Sequence, residues 1–336
     1  MRLLGRGKEG DSAQGNRGSS TTEGQVAPSE AEVPLGESSG FRFIYRFVKK
    51  DRASLVSGII IVAFFLFSVV EGVLQQVANY IRQPSLGWAI LPSNPEIISY
   101  QDSLVTPTLA RFPAGILGYD YNGRSIFSEI LFAAPRDAVA SVLVVLSAIV
   151  IGMMLGITAG YFGGWADEIL MRVTDAFLAF PAILLAIALA FLLGNGYYTV
   201  LVALVIVWWP TYARFFRAQT LSLRARGYVE ASKLSGIGSG RIMFRHIFPN
   251  AIDPIIAIAT LDFGNVILTY STLAFLGIGV EVGIPEWGSM TSEGLSYLPG
   301  VWWWALFPGI AIMMVVICFS ILGDRIQDLV GGRLTY

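Results

Sequence analysis

The chain has 336 residues, of which 54 % are hydrophobic and only 14 % charged, against about a quarter charged in an average soluble domain. That balance excludes an ordinary soluble protein and places the chain in a bilayer, and a formal net charge of −1 excludes broad nucleic-acid binding, so what matters is where the charges sit rather than their sum. One cysteine, Cys318, rules out an intrachain disulfide, and one histidine, His246, rules out a paired-histidine metal site.

Residues 1–40 are rich in Gly, Ser and Glu and poor in aromatics. They bury too little apolar surface to offset the entropy of ordering, and the reading is a disordered cytosolic tail. No apolar core lies within them, so they are not a cleaved secretory signal. A membrane-spanning helix needs ~20 mainly apolar residues to cross ~30 Å of hydrocarbon. Residues 41–74 form the N-terminal anchor and first span, with Ala53 to Val70 uncharged and Glu71 close behind. Residues 75–135 read as a long extracytoplasmic loop. Residues 136–336 hold the remaining spans. Ala138 to Gly160 is uncharged, opening after Pro135 at a helix start and closing at Gly163-Gly164. Ala176 to Ala213 is uncharged but too long for one helix. The Gly194-Asn195-Gly196 turn splits it into two spans, the first beginning near Glu168. Pro254 to Val280 is apolar apart from Asp262 and Asn265, and Val301 to Gly323 is the last span. The fold class is therefore an all-α membrane protein with six transmembrane helices.

Positively charged loops stay in the cytosol. With the N-terminus inside, 19 Lys and Arg fall on the cytosolic side, and only Arg82, Arg111, Arg124 and Arg136 fall outside. Both termini and the loop 214–250 then face the cytosol, in a cell membrane crossed several times. Trp302, Trp303 and Trp304 fall at the outer interface, where indole rings are favoured.

The loop 214–250 reads as two short helices meeting near Gly236, with Pro249 closing the second before the fifth span. Ile242, Met243, Phe244, Ile247 and Phe248 anchor the second helix to the membrane side, which leaves the first helix and the elbow to meet a partner. The other reading is an interfacial helix resting passively on lipid headgroups. His246 is expected to pack or hydrogen-bond at the elbow.

Asp262, Asn265, Thr269 and Thr272 share one face of the fifth span by their spacing. A polar stripe is costly against lipid, so it either lines a substrate route or hydrogen-bonds neighbouring helices as interhelical glue; the spacing alone is the same for both. Gly152, Gly156 and Gly160 let another helix approach the second span closely. Asp175 is expected to pair with Arg172, one turn before it. No phosphate-cradling loop is present, since Gly7-Lys8 is followed by Glu9 and no other Lys follows a Gly. ATP hydrolysis, if used, belongs to another subunit.

The segment Glu230-Ala231-Ser232, with Leu234, Gly236, Ile242, His246 and Pro249, resembles the Glu-Ala-Ala loop by which permease subunits of ABC importers dock on their ATPases. From about residue 116 to 330 the likeness is continuous with the second, C-type permease of the dipeptide, oligopeptide and nickel importers. It is carried by Leu117-Gly118-Tyr119-Asp120 with Gly123-Arg124, by Ala159-Gly160-Tyr161-Phe162-Gly163-Gly164-Trp165, and by Ala179-Phe180-Pro181. Trp209-Pro210, Leu273-Ala274-Phe275-Leu276-Gly277, Trp287-Gly288 and Leu322-Gly323-Asp324 complete it. Tyr119 stands where the family has Thr, Ser125 where it has Asp, and Ser232 where it has a second Ala. The N-terminal 40 residues lie outside the match.

The resemblance implies a type I importer permease fold and no enzymatic activity in this chain. It implies a second homologous permease, two cytosolic ATPases carrying ATP and Mg, and an extracytoplasmic solute-binding protein, all working in membrane lipid, with no cofactor held by this chain. Glu230 to Gly236 become the coupling helix and Asp262 part of the path. Relatives carry peptides, nickel or oligosaccharides, and nickel fits least, because neither His nor Cys lies along the external route. A secondary carrier would show repeated broken helices and midplane ion sites, and an intramembrane enzyme would need a nucleophile beside a base.

Overall fold

The computed structural model describes residues 51–330 apart from Asn195 and Val282. The tail assigned to 1–40, and the anchor residues ahead of 51, lie outside the described residues. Helix α1, Arg52–Ile81, begins at Asp51, whose carboxylate accepts from Ala53 N at 3.3 Å and from Ser54 Oγ at 2.8 Å. The same carboxylate accepts from Arg325 Nε at 3.0 Å, so the first cap also ties the start of α1 to the end of the last helix. The Ser54 hydroxyl, with Ala53 N–H and the Arg325 charge, holds the Asp51 carboxyl below its usual range. Val56, Ile59, Val62, Leu66, Val69 and Val73 are exposed at steps of three and four, a continuous apolar stripe suited to lipid.

Helix α2, Ile126–Phe162, has 37 residues and at 1.5 Å per residue runs about 55 Å, longer than the hydrocarbon is thick. Its start is not after Pro135. Ser125 caps it, accepting from Ser128 N at 3.3 Å, and Pro135 lies inside the helix, where it is buried. The loop between α1 and α2 is correspondingly shorter than the 75–135 expected, because both helices run on past the apolar stretches that mark them.

The expected third span is bent. Helix α3, Gly164–Leu178, and helix α4, Ala182–Leu193, meet at 90° across Ala179-Phe180-Pro181. The turn follows from Pro181, which cannot continue a helix and disfavours helical geometry in the residue before it. Helix α5 is Tyr197–Arg224. Among the described residues five helices are long and apolar enough to cross a membrane, and six if the bent pair is one span.

Helix α6, Gly227–Leu234, and the single turn α7, Ser239–Ile242, form the basic loop. A π-helical stretch, Met243–Ile247, then carries α7 straight into α8, Phe248–Phe275. Pro249 sits in the first turn of α8 directly after the π stretch, so the second loop helix is not closed before the fifth span but continuous with it. Helix α9, Trp287–Leu295, is short and packs against α8 and the final helix α10, Trp302–Val330.

The most extensive helix pair is α2 with α5. A Cβ at Gly156 would lie 2.8 Å from Phe216 Cβ, and one at Gly160 would lie 2.7 Å from Thr220 Cβ, while Gly152 meets Tyr212. The three glycines thus serve packing within this chain. A second core joins α1, the start of α2, α9 and α10, and includes Trp287, Trp303 and Trp304. Of the three consecutive tryptophans only Trp302 is exposed; Trp303 and Trp304 turn inward, with Trp303 Nε1 donating to Tyr119 O at 3.3 Å.

Candidate functional site

The basic loop gets its shape from its C-cap. Gly236 has φ +74°, a left-handed conformation that glycine adopts at little cost. Gly236 N donates to Lys233 O at 3.0 Å and Ile237 N to Ser232 O at 3.2 Å. These two bonds are the pair that closes a Schellman motif, so the elbow is a specified turn. A Cβ added at Gly236 would meet nothing within 4 Å; the constraint at that position is backbone conformation.

One face of α6 is fixed to the bundle. Val229 is fully buried, and Lys233 Nζ lies 5.1 Å from the centre of the Tyr161 ring at the end of α2, within range of a cation–π contact. The opposite face is free in this chain. Glu230 and Ala231 are exposed, and Leu234 is 90 % exposed at the tip of the helix. Ser232 is half-buried and its Oγ donates to Tyr228 O at 2.8 Å, which leaves the α6 backbone undisturbed.

Beyond the elbow, Ile242 and Ile247 are fully buried in the core that joins α2, α5 and α8, whereas Phe244 is exposed. Of the apolar residues expected to anchor the second helix, Ile242 and Ile247 do so inside the bundle itself. His246 is half-buried and its carbonyl accepts from Asn250 Nδ2 at 2.7 Å, with Pro249 exposed beside it. From α7 the chain runs through the π stretch into α8 without a break.

Ion pairs brace the same end. Arg217 forks onto Asp167, with Nη2 to Oδ2 at 2.6 Å, and Arg214 Nη2 reaches Asp175 Oδ1 at 2.6 Å, tying α3 to α5. Arg172 does not pair with Asp175 as expected; it lies 3.4 Å from Glu168, one turn back on its own helix, because Asp175 faces α5.

Helix α8 carries the polar stripe. Thr269 Oγ1 and Thr272 Oγ1 donate to carbonyls of their own helix at 2.8 and 2.7 Å, and Asn265 Nδ2 donates to Asp262 Oδ1 at 3.3 Å. None of those three residues hydrogen-bonds another helix among the described residues. Asp262 faces Trp208 and Tyr212 of α5 and opens on a cavity of about 200 Å³ walled by the α3–α4 bend. The stripe is partly exposed on the isolated chain.

Sequence reasoning missed the polar cluster at the far end from the basic loop. Asp137 of α2 is fully buried, and Glu286, the residue before α9, is 3 % exposed. Their carboxyl groups interact, and burial holds the Glu286 carboxyl well above the usual carboxylate range. Beside them Arg136 Nη2 pairs with Glu281 Oε2 at 2.8 Å, and Tyr197 Oη donates to Arg136 O at 2.9 Å. The available signal was Asp137 itself, an acid at the edge of a long apolar run.

A family model described as "Binding-protein-dependent transport system inner membrane component" matches residues 148–336. The dipeptide transport system permease protein of Alkalihalophilus pseudofirmus is 35 % identical over 88 % of this chain and 91 % of its own length. The glutathione transport system permease protein of Pectobacterium atrosepticum is 40 % identical over 65 % of this chain and 72 % of its own. A di/tripeptide transport system permease protein of Pseudomonas aeruginosa is 35 % identical over 70 % and 78 %.

Proposed function

This chain belongs to the family of inner membrane components of binding-protein-dependent transport systems, and from that premise we propose that it forms half of the translocation path of an ATP-driven importer of short peptides. It is a permease subunit and not an enzyme. The family places ATPase and binding-protein partners beside it; the stoichiometry in this reading is two ATPases, one second permease and one binding protein, with ATP and Mg held by the ATPases.

The observation that carries the coupling role is the division of α6 into two faces. Val229 and Lys233 hold it to the bundle while Glu230, Ala231 and Leu234 are presented outward ahead of the Schellman turn at Gly236. A helix held this way passes a push on its free face to α8, whose Asp262, Asn265, Thr269 and Thr272 line the path in this reading. Among the described residues Asn265, Thr269 and Thr272 make no cross-helix hydrogen bond, which favours the path for these three, while Asp262 contacts Trp208 and Tyr212 of α5. The basic end faces the cytosol, in keeping with 19 of the 23 Lys and Arg on that side.

Peptides are favoured over oligosaccharides and nickel because relatives covering most of this chain are named for dipeptides, glutathione and di/tripeptides. The test is uptake by proteoliposomes holding this chain with its partner permease, ATPases and binding protein. ATP-dependent accumulation of a labelled dipeptide supports the reading, and accumulation of an oligosaccharide without any peptide uptake overturns it.

A further inference from the structure

Two acids that the coupling mechanism does not use sit inside the bundle at the end opposite the basic loop. Asp137 of α2 is fully buried and Glu286, which leads into α9, is 3 % exposed, and their carboxyl groups face each other. We infer that the two together form a binding site for a single proton, and that the bound proton latches the start of α9 to α2.

The proton follows from hydrogen-bond chemistry. An ionised carboxylate only accepts, so two of them side by side repel, whereas one acid beside one carboxylate makes a charge-assisted hydrogen bond. The surroundings supply no substitute. No ordinary hydrogen bond reaches any of the four carboxyl oxygens among the described residues. Arg136 of α2 is a cation close by, but its guanidinium is engaged elsewhere, paired with Glu281 at 2.8 Å and lying 5.2 Å from the centre of the Tyr197 ring. Tyr197 faces the pair from α5 and Tyr270 from α8. The Tyr197 hydroxyl donates to Arg136 O at 2.9 Å. That leaves the Tyr270 hydroxyl and the Gly288 N–H beside Glu286, neutral groups that ease one negative charge on the pair and not two.

Packing keeps Glu286 in place. Trp287 Nε1 donates to Ile130 O of α2 at 2.9 Å, and Gly288 lies so close to Ser271 O of α8 that a Cβ would not fit. With the next two residues fixed to different helices, the Glu286 side chain reaches water only if the start of α9 moves. Burial raises the folded-state Glu286 carboxyl above the usual carboxylate range, and a side chain released to water returns to about 4.3. Opening therefore releases the proton. It becomes more favourable as pH rises, by up to about tenfold per pH unit, and levels off above the folded value.

The test is amide hydrogen exchange of residues 283–290, followed by mass spectrometry on the full chain in lipid nanodiscs from about pH 5.5 to 8, with each rate divided by the intrinsic rate at that pH. The corrected wild-type exchange is expected to rise at least tenfold across that range, against a ceiling of about tenfold per unit, while residues 152–160, packed between α2 and α5, stay level. Asp137→Asn and Glu286→Gln each put an amide donor of the same shape in place of the shared proton, and each is expected to remove the rise. His246 and Cys318, which also titrate near this range, are retained in both variants. A flat wild-type profile overturns the inference. So does a rise that persists in Asp137→Asn, which would assign the titration to Glu286 alone, or a wild-type profile set by sodium against choline and not by pH, which would assign the site to a metal cation. Where either variant fails to fold, the wild-type profile still decides.

Discussion

Truncating Leu234 to alanine separates docking from folding. The side chain is 90 % exposed on the isolated chain, so its loss removes almost nothing from the fold. If the outward face of α6 enters an apolar groove on an ATPase, the lost branch is worth about 0.8 kcal/mol per buried methylene, roughly 2 kcal/mol in all, or about 30-fold in Kd. Val229→Ala is the counterpart. Val229 is fully buried between α6 and the bundle, and its truncation removes about 1.5 kcal/mol of burial together with a cavity cost, which should lower thermal stability. The assay is titration of the purified ATPases onto the nanodisc-held permease pair, with a melting scan on the same samples. Leu234→Ala should lose affinity with its melting temperature unchanged, and Val229→Ala should melt lower. ATPase binding at the original affinity by a well-folded Leu234→Ala protein would refute the assignment of that face as the docking surface.

Further outcomes follow from the same geometry. The Cβ of Gly236→Trp would meet no atom within 4 Å, so the variant should stay in the membrane, at a local backbone cost of about 1–2 kcal/mol for a left-handed non-glycine residue, while ATP hydrolysis no longer drives uptake; full transport by that variant would sink the elbow assignment. Gly156→Leu, whose Cβ would press on Phe216 and the Ala213 carbonyl of α5, should cost several kcal/mol and abolish recovery of folded protein, whereas Gly309→Ala, with open space around it, should be recovered normally. Burial raises the folded-state Glu286 carboxyl, so its ionisation opposes folding: the stability it permits is full below the unfolded carboxylate range and falls as pH rises toward the folded value. Glu286→Gln should therefore flatten the decline in melting temperature between about pH 5 and 8; an equally steep decline in the variant would count against it.

Spans were legible in the sequence because each is an apolar run bounded by charge or glycine, and the glycine triplet at 152, 156 and 160 was legible as a close-packing face. The trajectory within an apolar run was not. Hydropathy rises from α3, which holds Asp167, Glu168, Arg172 and Asp175, to the wholly apolar α4 without marking a turn, and only Pro181 hints at the 90° bend. Pro135 looks like a helix start in the sequence, yet Ser125 supplies the cap ten residues earlier. Pairings across the fold, such as Arg214 with Asp175, were hidden because local spacing offered Arg172 first. Trp303 and Trp304 were read as an interfacial belt from their side of the membrane, but α9 packs over them and takes them into the core. For the site, the elbow glycine was legible from its place after Leu234, while the tie of Lys233 to Tyr161 required the fold to bring α2 beneath α6.

The coupling claim is tested most directly by tagging the chain at its C-terminus, extracting it gently from native membranes, and identifying what co-purifies by mass spectrometry. Recovery of a second six-span permease with P-loop ATPases, and loss of the ATPases but not the permease when Glu230 and Leu234 are both changed to alanine, is the expected result. Recovery of the chain alone, or only with copies of itself, would contradict it.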